Sequence, residues 1–215
     1  MDKTFNSFMG KYRMLIWNAE DPIIKAKIET FGYTTEKIDE GKSLFAEVEV
    51  LAETQRREYA QQYKATSLLA NKRQEAEDKI ASLRQFAKFS LRNTPEASDI
   101  LLFSVALPTT FPDWQQSVKS FYERLLEHPN WISLMTPFGI TADIITQNIV
   151  AIAELKTLQE IRQREIGDAQ KATLERNKKF DELKVWHNDL RDLVKILFQN
   201  SEAQYLEKLG ILVRS

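Results

Sequence analysis

Residues 34–93 read TTEKIDEGKSLFAEVEVLAETQRREYAQQYKATSLLANKRQEAEDKIASLRQFAKFSLRN, and residues 141–200 read TADIITQNIVAIAELKTLQEIRQREIGDAQKATLERNKKFDELKVWHNDLRDLVKILFQN. Neither stretch holds a proline, the residue that most often ends a helix because it lacks the backbone N–H and crowds the preceding turn. Apolar residues recur at helical spacing toward both ends of each. The first gives Ile38, Phe45, Val48 and Leu51, then Ile80, Leu83, Ala87 and Leu91; the second gives Ile145, Ile152, Leu155 and Leu158, then Leu183, Leu190, Val194 and Leu197. The middles are polar, as in Gln55–Gln62 and Gln159–Gln163.

The two stretches are copies of one pattern. Slid by about 107 residues, half its length, the chain matches itself without a gap. Phe31-Gly32-Tyr33-Thr34 meets Phe138-Gly139-Ile140-Thr141, Ala46-Glu47 meets Ala153-Glu154, and Arg57-Glu58 meets Arg164-Glu165. Lys64-Ala65-Thr66 meets Lys171-Ala172-Thr173, and Leu83-Arg84 meets Leu190-Arg191. Roughly twenty identities fall in about seventy positions, where chance gives about four or five. Residues 1–107 and 108–215 are therefore read as two helical repeats that pack as one structural domain.

The flanks repeat as well. A short amphipathic segment, Phe5 to Trp17 or Trp114 to Leu126, is closed by Pro22 or Pro129, and a small apolar patch follows. Gly32 or Gly139 breaks the chain, and Thr34 or Thr141 caps the long helix, with Glu36 or Asp143 at the positive end of its dipole. The helices are expected to stop near Asn93-Thr94-Pro95 and Asn200-Ser201.

The fold class is all-α: an elongated helical bundle with internal duplication, pseudo-two-fold symmetry, long antiparallel helices and short capping helices. The alternative is that each stretch folds back near Lys64-Ala65-Thr66, giving two hairpins and a four-helix bundle. Turn chemistry favours continuity, because Tyr63 to Leu68 has no Gly, Pro, Asn or Asp. Gly167-Asp168 offers such a turn in the second copy, but its match in the first is Ala60-Gln61. A continuous helix of this span is roughly 90 Å long.

Composition narrows function mainly by exclusion. The chain is 43% hydrophobic and 28% charged, with six glycines and six prolines, as an ordinary folded protein is. A net charge of −1 supplies no long-range field for nucleic acid or an anionic membrane. There is no cysteine, which removes thiol catalysis, thiolate metal sites and disulfides and fits a reducing cytoplasm. Met1–Gly10 lacks the basic start and apolar run of a secretory signal, and Ile100–Leu107 is far short of a membrane span.

Motifs for chemistry are missing. There is no glycine-rich phosphate loop, Ser-His-Asp ordering, paired-histidine motif or Glu-x-x-His spacing. No cofactor, metal or catalytic residue is therefore expected. His128 and His187 read as boundary or surface histidines, and Glu75, Glu77 and Asp78, among Lys72, Arg73 and Lys79, as a solvated face. The basic cluster Arg162 to Lys179 is interrupted by acids and lacks interleaved aromatics, so nucleic acid is not expected as a partner. Trp17, Trp114, Trp131 and Trp186 read as core, and Ile100–Phe111 as a buried connector. The matched polar positions Arg57, Glu58, Lys64, Arg164, Glu165 and Lys171 are the candidate contacts, either a register-fixing network on the pseudo-two-fold axis or a site for a partner or small ligand there.

Asn93-Thr94-Pro95-Glu96 and Asn200-Ser201-Glu202, followed by Leu206-Glu207-Lys208-Leu209-Gly210-Ile211, resemble a group of bacterial helical proteins whose tandem units close on an Asn-Pro…Leu-Gly-Ile pattern. The resemblance covers mainly the second helical half of each unit. It implies a helical bundle and no activity, and the first copy departs from it with Asp99-Ile100-Leu101-Leu102. The functional expectation is a non-enzymatic interaction or scaffold protein that binds protein, itself or another. A small-molecule binder or enzyme is the alternative, and a membrane-active helical protein ranks below both.

Overall fold

The computed structural model describes residues 3–199 and 202–212. Among them lie eight α-helices and no strand: α1 (Lys3–Asn18), α2 (Pro22–Glu29), α3 (Thr35–Ser90), α4 (Pro95–Ile100), α5 (Phe111–Leu126), α6 (Pro129–Met135), α7 (Ala142–Leu197) and α8 (Ala203–Lys208). A 3-10 turn, Thr136–Phe138, extends α6. The all-α reading holds. Both long stretches are single helices of 56 residues, so the hairpin alternative does not form, and Gly167 and Asp168 are ordinary residues inside α7.

Local chemistry explains the boundaries. Thr34 and Thr141 cap the long helices, their hydroxyls accepting from Lys37 N–H at 3.5 Å and Ile144 N–H at 3.4 Å. Gly32 and Gly139 precede them at φ +89° and +78°, a backbone region that L side chains resist. One expectation needs correction: Pro22 and Pro129 do not merely close the first segment. Each opens a new helix, where the missing N–H would have been unpaired anyway, and Asp21 caps α2 by accepting from Ile23 and Ile24. α3 ends just before Asn93 as expected; the Asn200-Ser201 stop lies outside the described residues.

The chain forms two compact units that cut across the sequence halves. Unit 1 comprises Met1–Ala60 and Gly167–Ser215, and unit 2 comprises Gln61–Ile166. In unit 1, α1 and α2 pack on the first part of α3 and the last part of α7 around Leu15, Ile16, Ile24, Ile38, Leu183 and Phe198. The two long helices run antiparallel there. Gly41 faces Trp186, Glu47 reaches Lys179 at 3.0 Å, and Gln55 donates to Thr173 Oγ1 at 2.9 Å, one series rising as the other falls. A Cβ at Gly41 would stand 2.5 Å from the Trp186 ring, so the indole takes the space a larger residue would need. Farther along, Ala52, Ala169 and Ala172 are buried and small.

Unit 2 is built from the last part of α3, the first part of α7, and α4, α5 and α6 around Ile80, Leu83, Val118, Tyr122, Met135 and Ile145. Of the sixteen apolar positions read from periodicity, Leu51, Leu158 and Leu197 are only half-buried, and the rest are buried. Burial also corrects the ungapped match. Tyr12, Leu15 and Ile16 in α1, and Ala19 just after it, correspond to Val118, Phe121, Tyr122 and Leu125 in α5, each 106 positions on, and the extra residue falls before Pro129.

Two further expectations fail. Trp17 is not core: it is partly exposed, edge-on to Phe45 with the Arg13 guanidinium 5.3 Å from its ring. The connector Ile100–Phe111 is not buried as a whole. Leu101 is, while Leu102 and Val105 are exposed, because Leu102 adopts a left-handed φ of 52° that turns its side chain outward from the core run. Arg84 holds this turn by donating to the carbonyls of Leu102 at 2.9 Å and Val105 at 2.8 Å.

Glycine substitutions test the helices directly. Gly10 in α1 and Gly167 in α7 have no neighbour within 4 Å of a new Cβ. Gly10→Ala and Gly167→Ala should each raise the urea-unfolding free energy by about 0.5–1 kcal/mol, the helix-propensity gain. Gly41→Ala should lower it despite the same gain, by about 1–2 kcal/mol net, because the Trp186 ring must move. A destabilised Gly167→Ala would place a turn inside α7.

Candidate functional site

The six matched polar positions sit near the middle of the long helices. Arg57, Lys64, Arg164 and Lys171 are exposed, and Glu58 and Glu165 are half-buried. Arg57 meets its own neighbour Glu58 at 3.5 Å, and Lys171 meets Glu175 at 3.9 Å on the same helix. What the repeated Ala-Thr pair does is clearer. Ala172 is buried, and Thr173 accepts from Gln55 at 2.9 Å and lies 3.4 Å from the Tyr59 hydroxyl, linking α7 to α3 within unit 1.

A stronger matched set was missed in the sequence. Lys179 lies between Glu47 at 3.0 Å and Glu182 at 2.7 Å, and both carboxylates hold its ammonium pKa above the usual lysine value. In unit 2 the matched Lys72 pairs with Glu75 at 2.8 Å and feels the charge of Glu154, which likewise raises its pKa. These four glutamates and two lysines are identical between the halves at the offset of the long helices. Their repetition identifies one lysine set between two acids as the polar device of α3–α7 pairing, and its exposure to solvent keeps its contribution to stability small.

His187 overturns the surface reading. It is 8% exposed, with its ring centroid 4.0 Å from that of Tyr12 and Nδ1 3.3 Å from Asn188 Oδ1. Burial first, and the Arg191 charge as a lesser cause, push its pKa down to about 4, while Asn188 and Asp192 oppose the shift. The signal was present: His187 stands four residues after Leu183 and three before Leu190, on the buried stripe. His128 does sit where a helix ends, its ring stacked on Trp131 at 3.8 Å.

Matched Arg84 and Arg191 have parted in use. Arg84 is half-buried against the connector, its guanidinium occupied by carbonyls, whereas Arg191 pairs with adjacent Asp192 at 2.9 Å. Unit 2 also exposes an aromatic patch. Phe86 and Phe89 each lie 5.7 Å from Phe138, the three being 41%, 54% and 43% exposed, and Arg92 covers Phe89 at 4.6 Å. The matched positions in unit 1 are Phe31, Leu193 and Ile196, of which Phe31 and Ile196 are exposed.

Among the described residues no group of three or more histidine, aspartate and glutamate side chains could hold a metal ion. No single helix among them is long and apolar enough to cross a membrane. The bent pair of Pro129–Phe138 with α7 passes on length and composition, but Trp131, Ile132, Met135, Ile145 and Ile152 are spent on the core of unit 2.

Two measurements follow from these side chains. Above pH 6.5 the His187 ring is neutral in folded and unfolded chains alike; below it only the unfolded chain gains the proton until about pH 4. Stability should therefore fall by about 3 kcal/mol as pH drops from 6.5 to 4, in urea titrations, and His187→Gln should remove that part of the slope. Arg84→Ala should cost about 1–2 kcal/mol, from lost charge-assisted hydrogen bonds, whereas Arg191→Ala should stay within about 0.5 kcal/mol of the parent. Comparison with family models, with curated proteins and with solved structures returns no match for this chain.

Proposed function

We propose that this chain is a non-enzymatic helical interaction protein and that its partner is a second copy of itself. The carrying observation is the patch of Phe86, Phe89 and Phe138, in which two rings both meet the third yet all three stay open to solvent. Isolated exposed apolar residues are ordinary, but a contiguous aromatic group is the composition of an association surface. An aromatic cluster with one stacked and one edge-on contact, and an arginine over one ring, supplies the rigid, low-entropy contacts that dominate such interfaces.

A second copy is favoured by charge and by repetition. At a net charge of −1 two copies do not repel one another. The matched positions Phe31 and Ile196 are also exposed apolar residues, so each unit offers apolar side chains at equivalent places. The same repetition supports an origin of the two halves by duplication, in which the helical frame was kept while its exposed faces diverged.

Sedimentation equilibrium from about 1 to 100 μM spans the range of weak to moderate self-affinity. The expected result is an average mass that climbs above the 25.0 kDa of one chain, and that stays at one chain's mass in the variant Phe86→Ser, Phe89→Ser, Phe138→Ser. A single 25.0 kDa species throughout, or association untouched by the triple substitution, would contradict the proposal.

A further inference from the structure

Around His187 the two copies differ in polarity. In unit 1 a cleft of about 340 Å³ opens between α1, α7 and residues 209–211. That is within the range of small-molecule sites, roughly 300–1,000 Å³. Three cations line it, Lys11, Lys184 and Arg191, and no carboxylate does. In a chain with a net charge of −1 such a one-signed wall is not the average surface. Lys11 and Lys184 make no ion pair among the described residues.

Unit 2 serves as an internal control. Where unit 1 has Tyr12 and His187, unit 2 has Val118 and Ile80, both buried apolar core. Lys184 stands where unit 2 has Glu77, which is neutralised by Arg73 at 2.8 Å. Lys11 corresponds to Ser117, and Asn188 to Ala81. Arg191 matches Arg84, whose guanidinium is taken up by connector carbonyls at 2.8–2.9 Å. Arg191 donates to no such carbonyl among the described residues, and the cleft lies beside it. The guanidinium that in unit 2 is taken up by connector carbonyls is paired in unit 1 with Asp192 alone, at 2.9 Å, at the wall of the cleft.

We propose that this cleft binds a small organic anion, a carboxylate or phosphate monoester on a flat apolar body. Arg191, Lys11 and Lys184 receive the anionic group, the chemistry that guanidinium and ammonium donors share for such oxygens. Phe8 and Ile211 flank the body, and His187, neutral and 92% buried, offers its ring edge as the polar contact that orients it. The replacement of apolar core by tyrosine and histidine has a cost in packing, and a ligand contact is the compensation that a purely structural role lacks. No residue of the cleft belongs to the aromatic patch of unit 2, so the two proposals stand or fall separately.

The test uses phenyl phosphate and benzoate as probes of the whole chain, followed by NMR of its two histidine rings. The expected result is a saturable shift of the His187 ring signals by at least one probe with a dissociation constant of about 1 mM or tighter, His128 staying in place. The variant Lys11→Gln, Lys184→Gln should bind that probe at least about tenfold more weakly with an unchanged circular dichroism spectrum. Inorganic phosphate, which lacks the body, should bind more weakly than phenyl phosphate. No saturable shift with either probe up to about 20 mM, equal movement of both histidines, or undiminished binding by the double variant would overturn the proposal.

Discussion

Neither long helix has an apolar face that runs its full length, so each depends on being gripped near its two ends. α3 gives Ile38, Phe45 and Val48 to one core and Ile80, Leu83 and Ala87 to the other, and α7 does the same with its own two clusters. Helical stability in proteins comes chiefly from such tertiary packing, since propensity alone supports little. Within unit 1 the antiparallel register rests on a few specific contacts: the Trp186 ring over Gly41, the Lys179 bridge to Glu47, and the Gln55–Thr173 hydrogen bond. Shifting α7 by one residue would drive the indole into a side chain and break both polar links. The short helices then have a fixed pair of surfaces to close over.

Much of the frame was legible in the sequence because it rests on local rules. Proline-free runs, threonine caps after a glycine, and apolar spacing at the ends all operate within a few residues, and each occurred twice. Continuity through the middle could be argued because Tyr63–Leu68 lacks any residue that makes a tight turn. What escaped depends on contacts between distant residues. Trp17 shows no local sign of lying at the surface, since only the packing of α1 on α3 decides which side faces Phe45. The exposure of Leu102 follows from Arg84, eighteen residues earlier, fixing the connector carbonyls. Pro22 signals a stop to the helix before it and is equally suited to the first turn of the helix after it, which is where the structure places it.

The candidate site was less legible than the frame. The matched polar residues Arg57, Glu58, Lys64, Arg164, Glu165 and Lys171 drew notice because surface positions should drift, yet the ion pairs resolved for Arg57 and Lys171 are local. The informative comparison runs the other way. Lys72 and Lys179 kept one job in both copies, whereas Ile80 and His187, Glu77 and Lys184, and Arg84 and Arg191 occupy matched places and differ in what they touch. Identical matched residues mark the shared frame, and matched positions that differ mark where the two units present different surfaces. That contrast needs a structure, because a sequence match records Arg84 and Arg191 as the same residue.

Both cores draw on α3, which passes unbroken from one to the other. The chain has no cysteine, so two can be introduced at the exposed positions Arg56 and Asn71 and spin-labelled without removing any native thiol. Fifteen residues of continuous helix separate the two backbone sites by about 22 Å, and pulsed dipolar spectroscopy should return one narrow distribution near that value. A hairpin folded near Lys64 would bring the same sites to about 10 Å, the spacing of packed helices, and that result would contradict the account.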